Sequence, residues 1–299
     1  MNNERKTILD NLEAFYKKEA FYEEKPNEGL LQNCCKCSNE CWKNISKDVK
    51  SESKWNYFSK PYIGDEYKGE LMCVGLNVNK GGGRNLQDMQ IRGYNVKKRH
   101  ENDIYAEKYQ PGVMASLGNK KENDSTYIRF EDGMKLAGVK YNGTPLWHRI
   151  AVYSKIILDG CKDNLFRNYE ELAEIYKRII FTDVIKCSPA TKSSKPNRKM
   201  EDNCIRYIFL KELEIIKPNN LIIMSHRAAD LIRENKSFPL INGSIEDFPG
   251  KNKKFDFCQI TIDKKIINVF YIVHPTSPGG NNEELAGEFV KFLKDAGLS

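Results

Sequence analysis

The stretch Phe181–Cys204, FTDVIKCSPATKSSKPNRKMEDNC, decides how the chain is read. It begins inside an almost unbroken apolar run, Ile179, Ile180, Phe181, Val184 and Ile185, the pattern of a strand covered on both faces. One acid, Asp183, interrupts that run. The strand then delivers Cys187 to a loop rich in Lys, Ser and Pro. Cys204 follows on a helix whose stripe Ile205, Phe209, Leu213 and Ile216 ends at Pro218. A buried acid and two cysteines on different elements read as a site beside a cluster.

Outward from this stretch, strands and helices alternate. Upstream lies ELMCVGLN (70–77), a short buried strand ending in a Gly turn. An amphipathic helix at about 145–159 and another at 168–178 follow. Downstream come the strand NLIIM (220–224), a helix at 226–234, and a hairpin of 256–262 and 266–273 joined by Asp263-Lys264-Lys265. The turn HPTSPGGNN (274–282) leads to a last helix at 283–296. The alternation predicts an α/β fold, a three-layer α/β/α sandwich around a central, mostly parallel four-stranded sheet. Active-site residues then belong at the carboxyl ends of the strands.

We expect residues 1–299 to form a single domain of this kind, with an N-terminal helix (to about residue 24) and a cysteine-rich segment within 1–45. Residues 42–69 are polar with scattered aromatics and read as irregular surface structure. Residues 78–143 are the least regular part, a long insertion expected to border the site. Its Gly81-Gly82-Gly83 is followed by no G-K-S/T, so a phosphate loop is discarded.

Hydrophobic content of 40% and charged content of 30% fit a soluble globular protein. The net charge of +7 favours a polyanionic partner without requiring one. No apolar run approaches the ~20 residues of a membrane span. The charged helical start does not resemble a signal peptide, so a cytoplasmic location is expected.

Nine cysteines in such a protein point to metal or cluster ligation rather than disulfides. Cys34, Cys35, Cys37 and Cys41 crowd into one turn, and Cys187 and Cys204 flank the central loop. Cys73, Cys161 and Cys258 stand alone and read as core thiols. Two close cysteines plus two from a distant loop can supply four thiolates to a 4Fe–4S cluster or equally to zinc.

Three loops leave carboxyl ends of the strands: Gly75-Leu76-Asn77-Val78-Asn79, the one holding Asp183 and Lys186-Cys187, and His274-Pro275-Thr276-Ser277-Pro278. Together they resemble the uracil-DNA glycosylase superfamily, where a Gly-x-x-Pro-type loop and a late His-Pro-Ser/Thr loop flank the base pocket. The middle block is most similar to the family-4, iron–sulfur branch, with its T-N-V-V-K-C strand, a second Cys about sixteen residues on, and an I-K-P continuation. Here these read Thr182-Asp183-Val184-Ile185-Lys186-Cys187, then Cys204, then Ile216-Lys217-Pro218 through Ala228-Ala229. Cys34–Cys37 matches the branch's N-terminal C-x-x-C, and Pro145-Leu146-Trp147-His148-Arg149-Ile150-Ala151 faintly echoes its P-F-x-G-R-A-G segment. The resemblance covers residues 30–77 and 145–290. Three departures stand against it: Val78-Asn79 in place of Pro-Gly, Asp183 in place of Asn, and about 65 extra residues before Pro145.

The resemblance implies a DNA glycosylase acting on uracil or a modified pyrimidine, in repair or against foreign DNA carrying modified bases. It also favours a 4Fe–4S cluster over zinc, held by Cys34, Cys37, Cys187 and Cys204, with Cys35 or Cys41 as alternative N-terminal ligands. Cleaving an N-glycosidic bond requires a donor to the departing base, placement of water and a pocket for a flipped base. His274 is the candidate donor to the pyrimidine O2, and Asn77 the candidate that orients water, an amide being unable to act as base. Gly75, Leu76, Asp183 and Trp147 (or Leu146 as the stacking residue) form the expected base pocket. Each has a plainer competing role: His274 as a packing residue, Asn77 as a turn residue, Trp147 as a core aromatic, and Asp183 turned to a backbone N–H or Lys186.

Pro275, Thr276 and Ser277 form the candidate wedge into DNA. Lys195 and Arg198 are candidate phosphate contacts among the basic loop residues. No lysine stands out as desolvated, which favours a monofunctional enzyme over a lyase. The expected partner is DNA, and the expected state a monomer. The rival reading is a non-catalytic binder of DNA or of a base that retains fold and cluster.

Overall fold

The computed structural model describes residues 3–15, 61–77, 129–131, 135–137, 145–160, 169–186, 196, 198–234, 240–242, 248–250, 253–274 and 282–298. In chain order these form α1 (Asn3–Phe15), β1 (Tyr62–Ile63), β2 (Leu71–Asn77), β3 (Arg129–Glu131), β4 (Lys135–Ala137), α2 (Pro145–Asp159) and α3 (Tyr169–Arg178). Next come β5 (Ile179–Ile185), α4 (Arg198–Cys204), α5 (Leu210–Ile216), β6 (Asn220–Ile223) and α6 (His226–Glu234). The chain closes with β7 (Leu240–Asn242), β8 (Phe255–Ile262), β9 (Lys265–Ile272) and α7 (Asn282–Asp295). One π-helical turn, Ile205–Phe209, joins α4 to α5 without a break and keeps both Ile208 and Phe209 buried.

Among the described residues one sheet has seven strands in the order β1-β5-β2-β6-β9-β8-β7. The neighbours β5–β2, β2–β6 and β6–β9 are parallel, whereas β1, β8 and β7 attach antiparallel. The expected four-stranded sheet is therefore corrected to seven strands, with the four parallel ones at its centre. Two of the additions, β1 and β7, have two and three residues, too few for an alternating pattern to register. The third, β8, pairs with a strand that is itself part of the core, so the hairpin extends the sheet.

Alternation along β2 divides the core. Met72 and Val74 pack with α1, α4, α5 and α6, while Leu71 and Cys73 pack with α2, α3 and α7. Helices thus cover both faces, in three layers. The continuous apolar run of β5 follows from this arrangement: Ile179, Ile180, Val184 and Ile185 are all closed off from water. Each such side chain contributes about 1.5–3 kcal/mol before the entropy cost of ordering it.

Residues 61–69 correct another expectation. They are not surface structure alone, since Tyr62 and Ile63 pair with Phe181 and Ile180, and Tyr67 is fully buried. The insertion also holds more regular structure than its sequence suggests, the antiparallel pair β3–β4. The hairpin turn is tighter than predicted: Asp263 and Lys264 alone make it, at φ of 46° and 69°, the geometry that suits the twist of two antiparallel strands. After α5, Lys217 takes a left-handed conformation and donates its N–H to the Leu213 carbonyl, and Pro218 prevents continuation. No helix among the described residues is long and apolar enough to cross a membrane.

The connections leaving β2 and β5 go to opposite faces, to α2 on one side and to α4 on the other. Right-handed crossovers running in opposite directions, β2 to β5 and then β5 back past β2 to β6, require this. The carboxyl ends of β2 and β5 are therefore a switch point, and by the general rule for open α/β sheets the ligand-binding crevice belongs there.

Candidate functional site

Gly75 and Asp183 are register partners in β2 and β5, close to that crevice. A β-carbon built on Gly75 would collide with the Asp183 Oδ1, so glycine is what lets the carboxyl lie against the neighbouring strand. Asp183 is 8% exposed. Burial is the main influence on its carboxyl and pushes it up to about 7; the Lys186 cation opposes that rise and the Glu212 carboxylate adds to it. Near neutral pH this side chain therefore exists both as an acid that can donate and as an anion that only accepts.

Lys186 does not serve as the partner of Asp183. Its ammonium donates to the Thr182 hydroxyl, pairs with the Glu212 carboxylate, and lies 5.8 Å from the centre of the Phe209 ring. Lys186 and Glu212 are both fully buried. The expectation that no lysine is desolvated is thus corrected, although this one sits behind β5 with α5 rather than in the crevice. Glu212 was missed by sequence reading. The signal was present: Glu212 lies seven residues after Ile205, hence on the same apolar stripe, where a charge calls for a buried partner.

His274 follows the end of β9 and is partly buried. Burial, assisted by the nearby Arg149 cation, holds its imidazole below the ordinary 6.5, so at neutral pH it is uncharged and carries one N–H donor. Arg149 belongs to the second turn of α2, whose first turn contains Trp147. Its relation to His274 was not anticipated, and nothing in the spacing of the two residues signals it. β2 and β6 separate β5 from β9, so Asp183 and His274 approach the carboxyl edge from about 14 Å apart at the usual strand spacing.

Asn77 is the last residue of β2, opposite Ile185. Leu76 packs against the core formed with α4–α6, so any part it takes in a pocket beside Gly75 comes from its backbone. Arg198 begins α4 with its side chain 83% exposed, 4.0 Å from the Asp202 carboxylate, and so is open to an external anion. Cys204 ends α4, fully buried in the core that includes Val184 and Ile185 of β5. That position is that of a buried, free thiol in the core. Cys34, Cys35, Cys37, Cys41, Cys187, Lys195, Pro275, Thr276 and Ser277 lie outside the described residues. Among the described residues, no three His, Cys, Asp or Glu side chains are grouped to hold a metal ion.

Comparison with models of known protein families gives no match, and neither does comparison with curated proteins.

Proposed function

We propose that this chain is a monofunctional DNA glycosylase with a uracil-DNA glycosylase-like fold. It hydrolyses the N-glycosidic bond of a flipped-out pyrimidine and leaves an abasic site. The observation that carries this reading is the buried Asp183 carboxyl, lying against Gly75 toward the carboxyl ends of β2 and β5 and able to hold a proton near neutral pH.

A protonated carboxyl presents one donor and one acceptor to the edge of a base. Cytosine offers the complement, an N4 amine beside the N3 acceptor. Uracil offers N3–H beside O4: the protonated carboxyl can pair with that edge too, but uracil N3 already carries its hydrogen and cannot take the Asp183 proton, and an ionised Asp183 sets a lone pair against O4. That mismatch costs about 1–3 kcal/mol in a dry pocket. The proposed substrate is accordingly a cytosine-like or modified-cytosine base with a free N4 amine, and uracil is the poorer one.

In the reaction, water attacks C1′ and releases one proton to solvent, the bond electrons leave with the base, and solvent restores the proton that Asp183 gives up. Neutral His274 donates to O2, where negative charge develops, and a proton shared from Asp183 to N3 offsets that charge further. Asn77 orients the water, and Trp147 stacks on the ring. Pro275, Thr276 and Ser277 wedge the duplex while Lys195 and Arg198 contact phosphates. Cys34, Cys37, Cys187 and Cys204 would hold a 4Fe–4S cluster, with zinc as the alternative occupant of the same thiolates. Such a group, if bound by those cysteines, would link the N-terminal segment to the loop after β5 in a structural role.

The test is incubation with duplexes carrying single cytosine, modified-cytosine and uracil sites, followed by alkaline cleavage of abasic sites. Strand breaks that disappear in the Asn77→Ala/His274→Ala double variant support the enzyme. Binding to the same duplexes without breaks supports a non-catalytic binder instead.

A further inference from the structure

Behind Asp183, on the other face of β5, three side chains meet away from water: Lys186, Glu212 and Thr182. Lys186 is the first residue beyond β5, and its side chain turns back to the hydroxyl of Thr182, the residue before Asp183. The same ammonium is held by Glu212 of α5 and covered by the ring of Phe209. Stability alone gives no reason for such a group, because well-packed apolar side chains commonly serve as well as a buried ion pair.

We propose that Lys186 and Glu212 are positioning residues that pin the carboxyl end of β5 and, through one layer of strand, set whether Asp183 offers the base a proton or only lone pairs. The consequence for base choice rests on the glycosylase reading; the effect on Asp183 does not.

The arrangement of charges supports this. On its own face Asp183 lies among Gly75 and Phe181, which carry none. Cys73, two residues back on β2, holds a thiol that burial pushes up to about 12, so it stays neutral. Among the described residues, the charges that act on Asp183 are one cation, Lys186, and one anion, Glu212. Glu212 occupies the lysine, so that the cation cannot fully favour the Asp183 anion. Remove Glu212 alone and an uncompensated ammonium stands behind the carboxyl, which then ionises and loses its donor. Remove both and only burial remains, which favours the protonated form.

The experiment is a 13C NMR titration of the Asp183 carboxyl in the full-length protein, with the resonance assigned by its absence in Asp183→Asn. Wild type, Glu212→Gln and Lys186→Met/Glu212→Met are compared, and each is also assayed on the cytosine-type duplex across pH. Glu212→Gln is expected to lower the proton affinity of Asp183 about tenfold or more. The double variant is expected to raise it, because the lysine is the stronger of the two influences. Activity should follow, failing at lower pH in Glu212→Gln and persisting to higher pH in the double variant. Coincident titration curves in all three proteins overturn the proposal. Where Glu212→Gln does not fold, the double variant leaves no unpaired charge, and an unmoved curve there is equally decisive. Curves that shift as stated in proteins that cut no duplex uphold the positioning role and refute the glycosylase.

Discussion

Gly75 and Asp183 face each other in the register of β2 and β5, and the Asp183 Oδ1 fills the place that a β-carbon on residue 75 would take. Gly75→Ala is therefore expected to displace the carboxyl and to cost about 1–3 kcal/mol, the usual range for overpacking. Urea unfolding measures the loss. In an Asp183→Ala background the same glycine substitution should cost much less, and a double-mutant cycle reads the coupling. Equal costs in the two backgrounds would show that the close approach has no energetic weight.

A second prediction concerns stability and pH. The folded carboxyl of Asp183 keeps its proton to about pH 7, whereas an unfolded one releases it near the ordinary 3.8. Between those values the folded state binds more protons than the unfolded, so the stability attributable to Asp183 falls as pH rises through that window. The full loss is on the order of 4 kcal/mol. Denaturant unfolding at pH 5 and pH 8 should show Asp183→Asn losing distinctly less stability between the two than wild type does. Parallel pH dependence in the two proteins would contradict the buried, proton-holding carboxyl.

For His274 the sign is opposite. Its imidazole is held below the ordinary value, so the stability it contributes is complete above about 6.5, the usual His value, and is lost as pH falls. Replacing the nearby cation, Arg149→Met, should raise its titration midpoint in an NMR histidine titration. If the wild-type midpoint already lies at or above the ordinary value, the neutral donor assigned to His274 is untenable.

The central strands were legible because their chemistry is local. An unbroken apolar run containing one acid identifies β5 and Asp183, and the alternation of strands with amphipathic helices gives the layers. What stayed hidden depends on distant partners. The edge strands β1 and β7 are too short to carry a pattern, and β8 enters the sheet only through β9. Glu212 appears in the sequence as one acid on an apolar stripe, and only the fold brings Lys186 to it across 26 residues. Asp183 was visible as a buried acid, but its position over Gly75 follows from strand register, which no single-strand pattern specifies.

The cysteines offer a test independent of catalysis. Protein purified without added metal should carry iron and labile sulfide and lose both in Cys204→Ala, whereas Cys73→Ser and Cys258→Ser should retain them. Chelation should destabilise the wild type and leave Cys204→Ala unaffected, since metal binding to such a site couples to folding. Stoichiometric zinc without iron would replace the cluster by a zinc site; neither metal would leave Cys204 as a core thiol.

The most direct test of the account is a base panel assayed at neutral pH with wild type and Asp183→Asn. An Asn amide places one acceptor and one fixed donor at residue 183, the match for the N3–H and O4 of uracil, but has no proton to pass on, whereas the native carboxyl can hand its proton to the N3 of a base with an N4 amine. The account predicts that wild type releases the cytosine-like or modified-cytosine base in preference to uracil, and that Asp183→Asn swings the preference toward uracil by about tenfold or more, the equivalent of one mispaired buried contact. Robust uracil release by wild type that Asp183→Asn leaves unchanged or lowers would contradict it.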